Sequence, residues 1–116
     1  IVSRDSTSKI KVNSGKYFSL GKESTFLINC KLTIKGGLVD SIKGLENSKI
    51  TLLGGIIGEI NQSKMPIESW GKVNIKNGNI RSKDGISVLM HTQKTKRQNN
   101  INLSHGVDIE GKIIYN

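Results

Sequence analysis

The chain has 116 residues, the length of one domain with a modest core, and a composition without alanine but with 13 glycines, 17 isoleucines and 11 asparagines favours strands and turns over helices. A net charge of +9, from 18 basic and 9 acidic residues, directs the surface field at anionic partners; the 43 Ile, Lys and Asn residues against 3 Arg are also what an AT-rich coding sequence produces unaided. The lone Cys30 excludes an internal disulfide and reads as a small buried apolar residue, no apolar run approaches the roughly 20 residues of a membrane span, and no signal peptide is recognisable.

In chain order, "IVSRDSTS" (1–8) is a polar lead-in, and "KIKVNSG" (9–15) is the first copy of a recurring phrase. "YFSL" (17–20) and "STFLI" (24–28) are short strand candidates ahead of the second copy, "KLTIKGG" (31–37). "LVDSI" (38–42) leads to the third copy, "KITLLGG" (49–55), and "GIIGEI" (55–60) and "PIESW" (66–70) to the fourth, "KVNIKNG" (72–78). "GISVLM" (85–90) precedes "HTQKTKRQNN" (91–100), polar and basic throughout and expected as a loop. The fifth copy, "NINLSHG" (100–106), is followed by "VDIEG" (107–111) and by "GKIIYN" (111–116) at the end.

Aligned on Lys9, Lys31, Lys49, Lys72 and Asn100, the copies recur every 18 to 28 residues. The second and fourth positions of each are aliphatic: Ile10 and Val12, Leu32 and Ile34, Ile50 and Leu52, Val73 and Ile75, Ile101 and Leu103. A period of two with one apolar face is a strand. Each copy ends in glycine (Gly15, Gly37, Gly55, Gly78, Gly106), which takes positive φ without steric cost and turns the chain sharply. A short strand, a glycine bend and a return after about 23 residues is one coil of a parallel β-helix, whose coils vary in length by extruding loops; a propeller blade needs roughly twice that period. An antiparallel sandwich with glycine turns is the rival architecture, and it predicts no aligned repeat.

The phrases "ITLLGGIIG" (50–58) and "VNIKNGNI" (73–80) resemble the coils of right-handed parallel β-helix proteins: pectate-lyase-like polysaccharide enzymes, bacteriophage tailspikes and bacterial surface adhesins. The likeness covers roughly residues 9 to 111, and it concerns coil geometry, which many functions share. It implies an all-β, single-stranded right-handed parallel β-helix of about five coils over residues 1–116. Its tailspike members imply a virion or extracellular setting and the binding, with or without cleavage, of a capsule or O-antigen. A non-catalytic stalk or adhesin segment is the alternative. Because bare strand edges invite association and few coils stand alone, the expectation is a fragment of a longer chain or one protomer of a homotrimer; Ile1 in place of Met agrees with a piece of something longer.

If the aliphatic doublets face inward, the first, third and fifth positions face out. The first column is Lys9, Lys31, Lys49, Lys72, Asn100; the third is Lys11, Thr33, Thr51, Asn74, Asn102; the fifth is Asn13, Lys35, Leu53, Lys76, Ser104. A row of ammonium groups suits a linear polyanion such as an acidic bacterial polysaccharide, although outward lysines also discourage edge aggregation. The candidate glycan-binding residues are Lys31, Lys49, Lys72, Lys35 and Lys76, with Trp70 as a stacking platform at a coil corner. Lys94, Lys96 and Arg97 form a second basic patch, and Leu53 is an apolar residue in a polar column.

Glycoside hydrolysis ordinarily needs two carboxylates. Asp40 and Glu59 follow successive glycine bends by three and four residues and are the candidate catalytic pair, although no acidic residue here sits in a recognisable motif. Whether the chain is an enzyme is left open. His91 and His105 lack partners at ligand spacing, so no metal or other cofactor is expected and a surface role is the default for both. Phosphate loops and serine nucleophile elbows are absent. Five aromatic residues, none in the lysine columns, argue against nucleic acid as the partner.

Overall fold

The computed structural model describes residues 1–18, 24–58, 65–82, 85–91, 101–104 and 106–116. Every regular element among them is a strand: β1 (Val2–Ser3), β2 (Lys9–Val12), β3 (Lys16–Tyr17), β4 (Phe26–Ile28), β5 (Lys31–Ile34), β6 (Leu38–Val39), β7 (Ile42–Gly44), β8 (Lys49–Leu52), β9 (Ile56–Ile57), β10 (Ile67–Ser69), β11 (Lys72–Ile75), β12 (Asn79–Ile80), β13 (Ile86–Met90), β14 (Ile101–Leu103), β15 (Asp108–Ile109) and β16 (Lys112–Tyr115). They form three sheets. The first runs β1-β4-β7-β10-β13-β16, the second β2-β5-β8-β11-β14 and the third β3-β6-β9-β12-β15. All pairings are parallel. The chain therefore visits the three sheets in turn and returns to each one rung further on, which is compatible with a parallel β-helix and excludes the antiparallel sandwich.

The repeated phrases supply the second sheet, in the register their alignment predicts. Lys9, Lys31, Lys49 and Lys72 are successive cross-strand partners, and so are Val12, Ile34, Leu52 and Ile75, with Leu103 after them. Strands β5, β8 and β11 repeat one pattern: an exposed lysine, a buried aliphatic, a half-buried polar residue, a buried aliphatic. The inward positions of all three sheets join one apolar cluster, with Phe26, Ile28, Ile42 and Ile67 from the first sheet, Leu32, Ile50 and Val73 from the second and Val39, Ile57 and Ile80 from the third. Cys30 is buried with them, as expected, but in the bend between β4 and β5 and not in a strand as its sequence suggested.

The bend glycines form a column of their own. Gly15, Gly37, Gly55, Gly78 and Gly106 all have positive φ, between 84° and 112°. A Cβ on Gly37 would lie 2.7 Å from the Gly15 carbonyl oxygen, and one on Gly55 2.8 Å from that of Gly37. Glycine is required there twice over, once for the left-handed backbone and once because the rung beneath leaves no space.

Two elements differ from the sequence reading. "LVDSI" is not one strand: β6 ends at Val39, Asp40 and Ser41 make the corner, and β7 begins at Ile42. Two strands joined by only two residues account for the shortest repeat, from Lys31 to Lys49. The terminal segments, read in sequence only as a lead-in and an end, contribute β1 and β16, the outermost strands of the first sheet.

Candidate functional site

The lysine row is real in three dimensions. Lys9, Lys31, Lys49 and Lys72 are all exposed at the start of adjacent strands. With rungs about 4.8 Å apart, they line roughly 14 Å of the surface. At that spacing two unit charges in water repel by roughly 0.9 kcal/mol before screening and side-chain splay reduce it. Lys35 and Lys76 are exposed in the fifth column, where the Lys35, Leu53, Lys76 and Ser104 amides donate to the carbonyls of Val12, Ile34, Leu52 and Ile75 and so continue the ladder past the strand ends. Leu53 stands between the two lysines and is 36% exposed. In the third column the Asn102 amide Nδ2 donates to Asn74 Oδ1 at 3.0 Å, capping the row of side chains between the two lysine columns.

Trp70 lies around the corner from this row. It follows β10, and one residue, the buried Gly71, separates it from Lys72. A side chain at Gly71 would collide with the Ser48 and Leu45 carbonyl oxygens of the rung beside it, so the chain turns tightly and brings Trp70 and Lys72 to adjacent outward positions. The Ser69 hydroxyl accepts the Gly71 N–H at 3.0 Å and holds the bend.

The Trp70 indole is not isolated. Its amide donates to the Gly44 carbonyl and the His91 amide to that of Ser69, so the two residues are neighbours in one outward column just past the strands of the first sheet. Their rings stack at 3.9 Å between centroids with 9° between planes. His91 Nε2 lies 2.7 Å from Glu68 Oε2, and Asn116 Nδ2 is 3.5 Å from His91 Nδ1. Lys43, the cross-strand partner of Glu68, puts its Nζ 5.2 Å from the indole centroid, within cation–π range. The opposite neighbour of β10, the rung of β7, carries two extra residues at this corner. Ile28, Gly44 and Ser69 are in register, as are Lys31, Lys49 and Lys72, yet Gly44 to Lys49 is two residues longer than its counterparts. The surplus forms a turn in which Ser48 donates both N–H and hydroxyl to the Leu45 carbonyl, and the Asn47 amide donates to Asn29 Oδ1 at 2.9 Å. Between this turn and Trp70 lies an open depression of about 340 Å³ lined by Asn29, Leu45, Glu46, Asn47 and Trp70.

The candidate catalytic residues give less. Asp40 sits at the corner between β6 and β7, 7% exposed, with its amide donating to the Tyr17 carbonyl. The register of β6 and β9 runs Leu38 to Ile56 and Val39 to Ile57, so its continuation sets Asp40 opposite Gly58. Glu59 lies outside the described residues, as do His105 and the basic patch Lys94, Lys96 and Arg97. Among the described residues, no group of three or more His, Cys, Asp or Glu could hold a metal ion, and no helix is long and apolar enough to cross a membrane.

Reasoning from the repeat alone missed Lys43, Glu68 and His91 and every depression residue except Trp70. Part of this was within reach. Aligning "FLIN", "IKGL", "IESW", "VLMH" and "IIYN" on their shared strand puts Asn29, Leu45, Trp70, His91 and Asn116 in one outward column, which pairs Trp70 with His91 before any coordinates. Comparison of the chain with protein-family models, with curated proteins and with solved structures finds no match.

Proposed function

We propose that the chain is a segment of a right-handed parallel β-helix of the tailspike type that binds an acidic bacterial surface polysaccharide across the corner between its first and second sheets. Right-handedness follows from the strong general preference of parallel crossovers. One observation carries the functional reading: an exposed lysine at the same position of four successive rungs stands beside the chain's single tryptophan, with only the inward Gly71 between Trp70 and Lys72. A linear polyanion needs repeated cations along its length, and this corner offers them, with the apolar Trp70 indole, stacked on His91 and under Lys43 Nζ, beside the row. The sites Lys35 and Lys76 extend the positive surface toward the glycine bends. In this reading the segment acts by binding, and Asp40 belongs to the corner that joins β6 to β7.

The test is binding of a polyuronate to the wild-type chain and to a Lys31→Gln, Lys49→Gln, Lys72→Gln variant. The variant is expected to bind at least about tenfold more weakly at low salt, with a flatter dependence of affinity on salt. Equal affinity at low salt removes the lysine row from the function. Incubation with capsule or lipopolysaccharide preparations separates the remaining readings: shortened chains mark a depolymerase, binding without shortening marks a receptor module, and neither result leaves a structural or adhesive solenoid.

A further inference from the structure

We infer that the polymer lies along the stacking direction of the rungs, in a shallow trough on the outer face of the second sheet walled by its two lysine columns, and that Thr33, Thr51 and Asn74 on the floor of this trough recognise the hydroxyls of an acidic glycan. The inference rests on the polysaccharide reading and deepens it by giving the ligand a direction and a second set of contacts. In β5, β8 and β11 the outward positions run long, short, long. Lys31, Lys49 and Lys72 stand in the first column, Thr33, Thr51 and Asn74 are cross-strand neighbours in the third, and Lys35, Leu53 and Lys76 follow in the fifth. The residues of both outer columns are exposed and the three between them are half-buried. At about 3.3 Å per residue the two walls rise roughly 13 Å apart, with room for one extended chain between them. On the first rung Lys11 takes the third position and closes that end of the floor.

Charge sets the direction. A polymer running from rung to rung meets a first-column lysine on each of four rungs, about 4.8 Å apart. A polymer running along a strand meets at most two lysines, roughly 13 Å apart, and on β8 only Lys49, because Leu53 holds the fifth position. The floor sets the chemistry. Lysines attract any polyanion, whereas hydroxyl and amide groups reward a ligand that carries hydroxyls of its own. The Thr33 and Thr51 hydroxyls have no hydrogen-bond partner among the described residues, and each can donate and accept. Asn102 Nδ2 occupies Asn74 Oδ1, so Asn74 presents its own Nδ2 as a donor. Register places these three side chains in line, one per rung.

The experiment compares oligogalacturonate and oligomannuronate with oligo-L-glutamate of equal carboxylate number, which has the charge without ring hydroxyls. Binding is measured at one low salt concentration and again with added salt. The proteins are the wild-type chain, a Thr33→Val, Thr51→Val variant, Lys49→Gln and Lys72→Gln, each checked for folding by circular dichroism. Valine keeps the β-branched shape that suits a strand and removes only the hydroxyl. The wild-type chain is expected to bind at least one oligouronate about fivefold or more tightly than oligoglutamate. In the threonine variant that advantage should fall toward unity through weaker uronate binding, with oligoglutamate unchanged. Lys49→Gln, on the rung without a fifth-column lysine, should weaken all three ligands as much as Lys72→Gln does. No uronate advantage in the wild-type chain, or an undiminished one in the threonine variant, overturns the floor. A silent Lys49→Gln beside an effective Lys72→Gln overturns the direction. Salt-dependent binding of all the polymers leaves the lysine-row reading standing through either failure; if none of them binds, that reading falls and the trough falls with it.

Discussion

An interior rung and the last rung carry the same pattern and have different fates. In β8, Ile50 and Leu52 are 0% and 1% exposed; in β14, Ile101 is only partly buried and Leu103 is 49% exposed, although Ile75 connects Leu52 and Leu103 in one column. Tyr115 of β16 repeats the contrast: it follows the fully buried Met90 in register and is itself 54% exposed. Inward orientation comes from strand alternation, but burial depends on what covers the rung: Val12 on the first rung of the second sheet is 3% exposed, Leu103 on the last 49%. A stacked rung is thus a shared structure, with half its apolar contact supplied by each adjoining rung.

That contrast can be broken or sharpened by substitution. The largest effect is expected for Leu52→Ala, which opens a cavity between two covered rungs and should cost about 3 kcal/mol, against under about 1 kcal/mol for Leu103→Ala, whose site is already half solvated. Equilibrium denaturation measures both, and equal costs would mean that the last rung is covered in solution. Next comes Gly55→Ala against Gly106→Ala. Both require positive φ, with a penalty of about 1–2 kcal/mol, but a new Cβ at Gly55 also meets the Gly37 carbonyl, whereas among the described residues nothing lies within 4 Å of one at Gly106. Gly55→Ala should be the more destabilising of the two by about 1 kcal/mol or more. A smaller difference should appear in hydrogen exchange, where the amides of β5, β8 and β11 exchange more slowly than those of β14, reflecting their lower access to local opening.

The smallest effect belongs to the other end of the molecule. The Thr7 N–H, then the Thr7 and Ser8 hydroxyls, donate to the Asp5 carboxylate and hold its pKa below the usual range. A carboxylate depressed in the folded state adds stability that is present above its unfolded pKa and is lost as pH falls through the folded one. Asp5→Asn should therefore leave neutral stability nearly unchanged and slightly flatten the acid limb of a stability-against-pH curve, read by thermal melts. Full exposure of Asp5 keeps this contribution small.

What could be read in advance was whatever repeats. The inward doublets and the bend glycines recur in all five copies and the leading lysine in four, so the sequence alignment is also the spatial one. Trp70 and His91 were legible by the same logic, although the strands they follow differ in length, three residues in β10 and five in β13, and their phrases are less regular. The depression was not legible, because it exists only where the inserted turn of one rung, Leu45 to Ser48, lies beside the indole of the next. The corner at Asp40 was passed over, although the polar pair Asp40 and Ser41 interrupts the apolar residues of "LVDSI" with types that favour turns.

By itself the sequence determined the strands, their register and the glycine corners, because side-chain alternation and positive φ are properties of single residues and their immediate neighbours. Only the tertiary structure decided which inward side chains leave water and where a concave surface forms, because both depend on what the adjoining rungs place against a residue about 20 positions away.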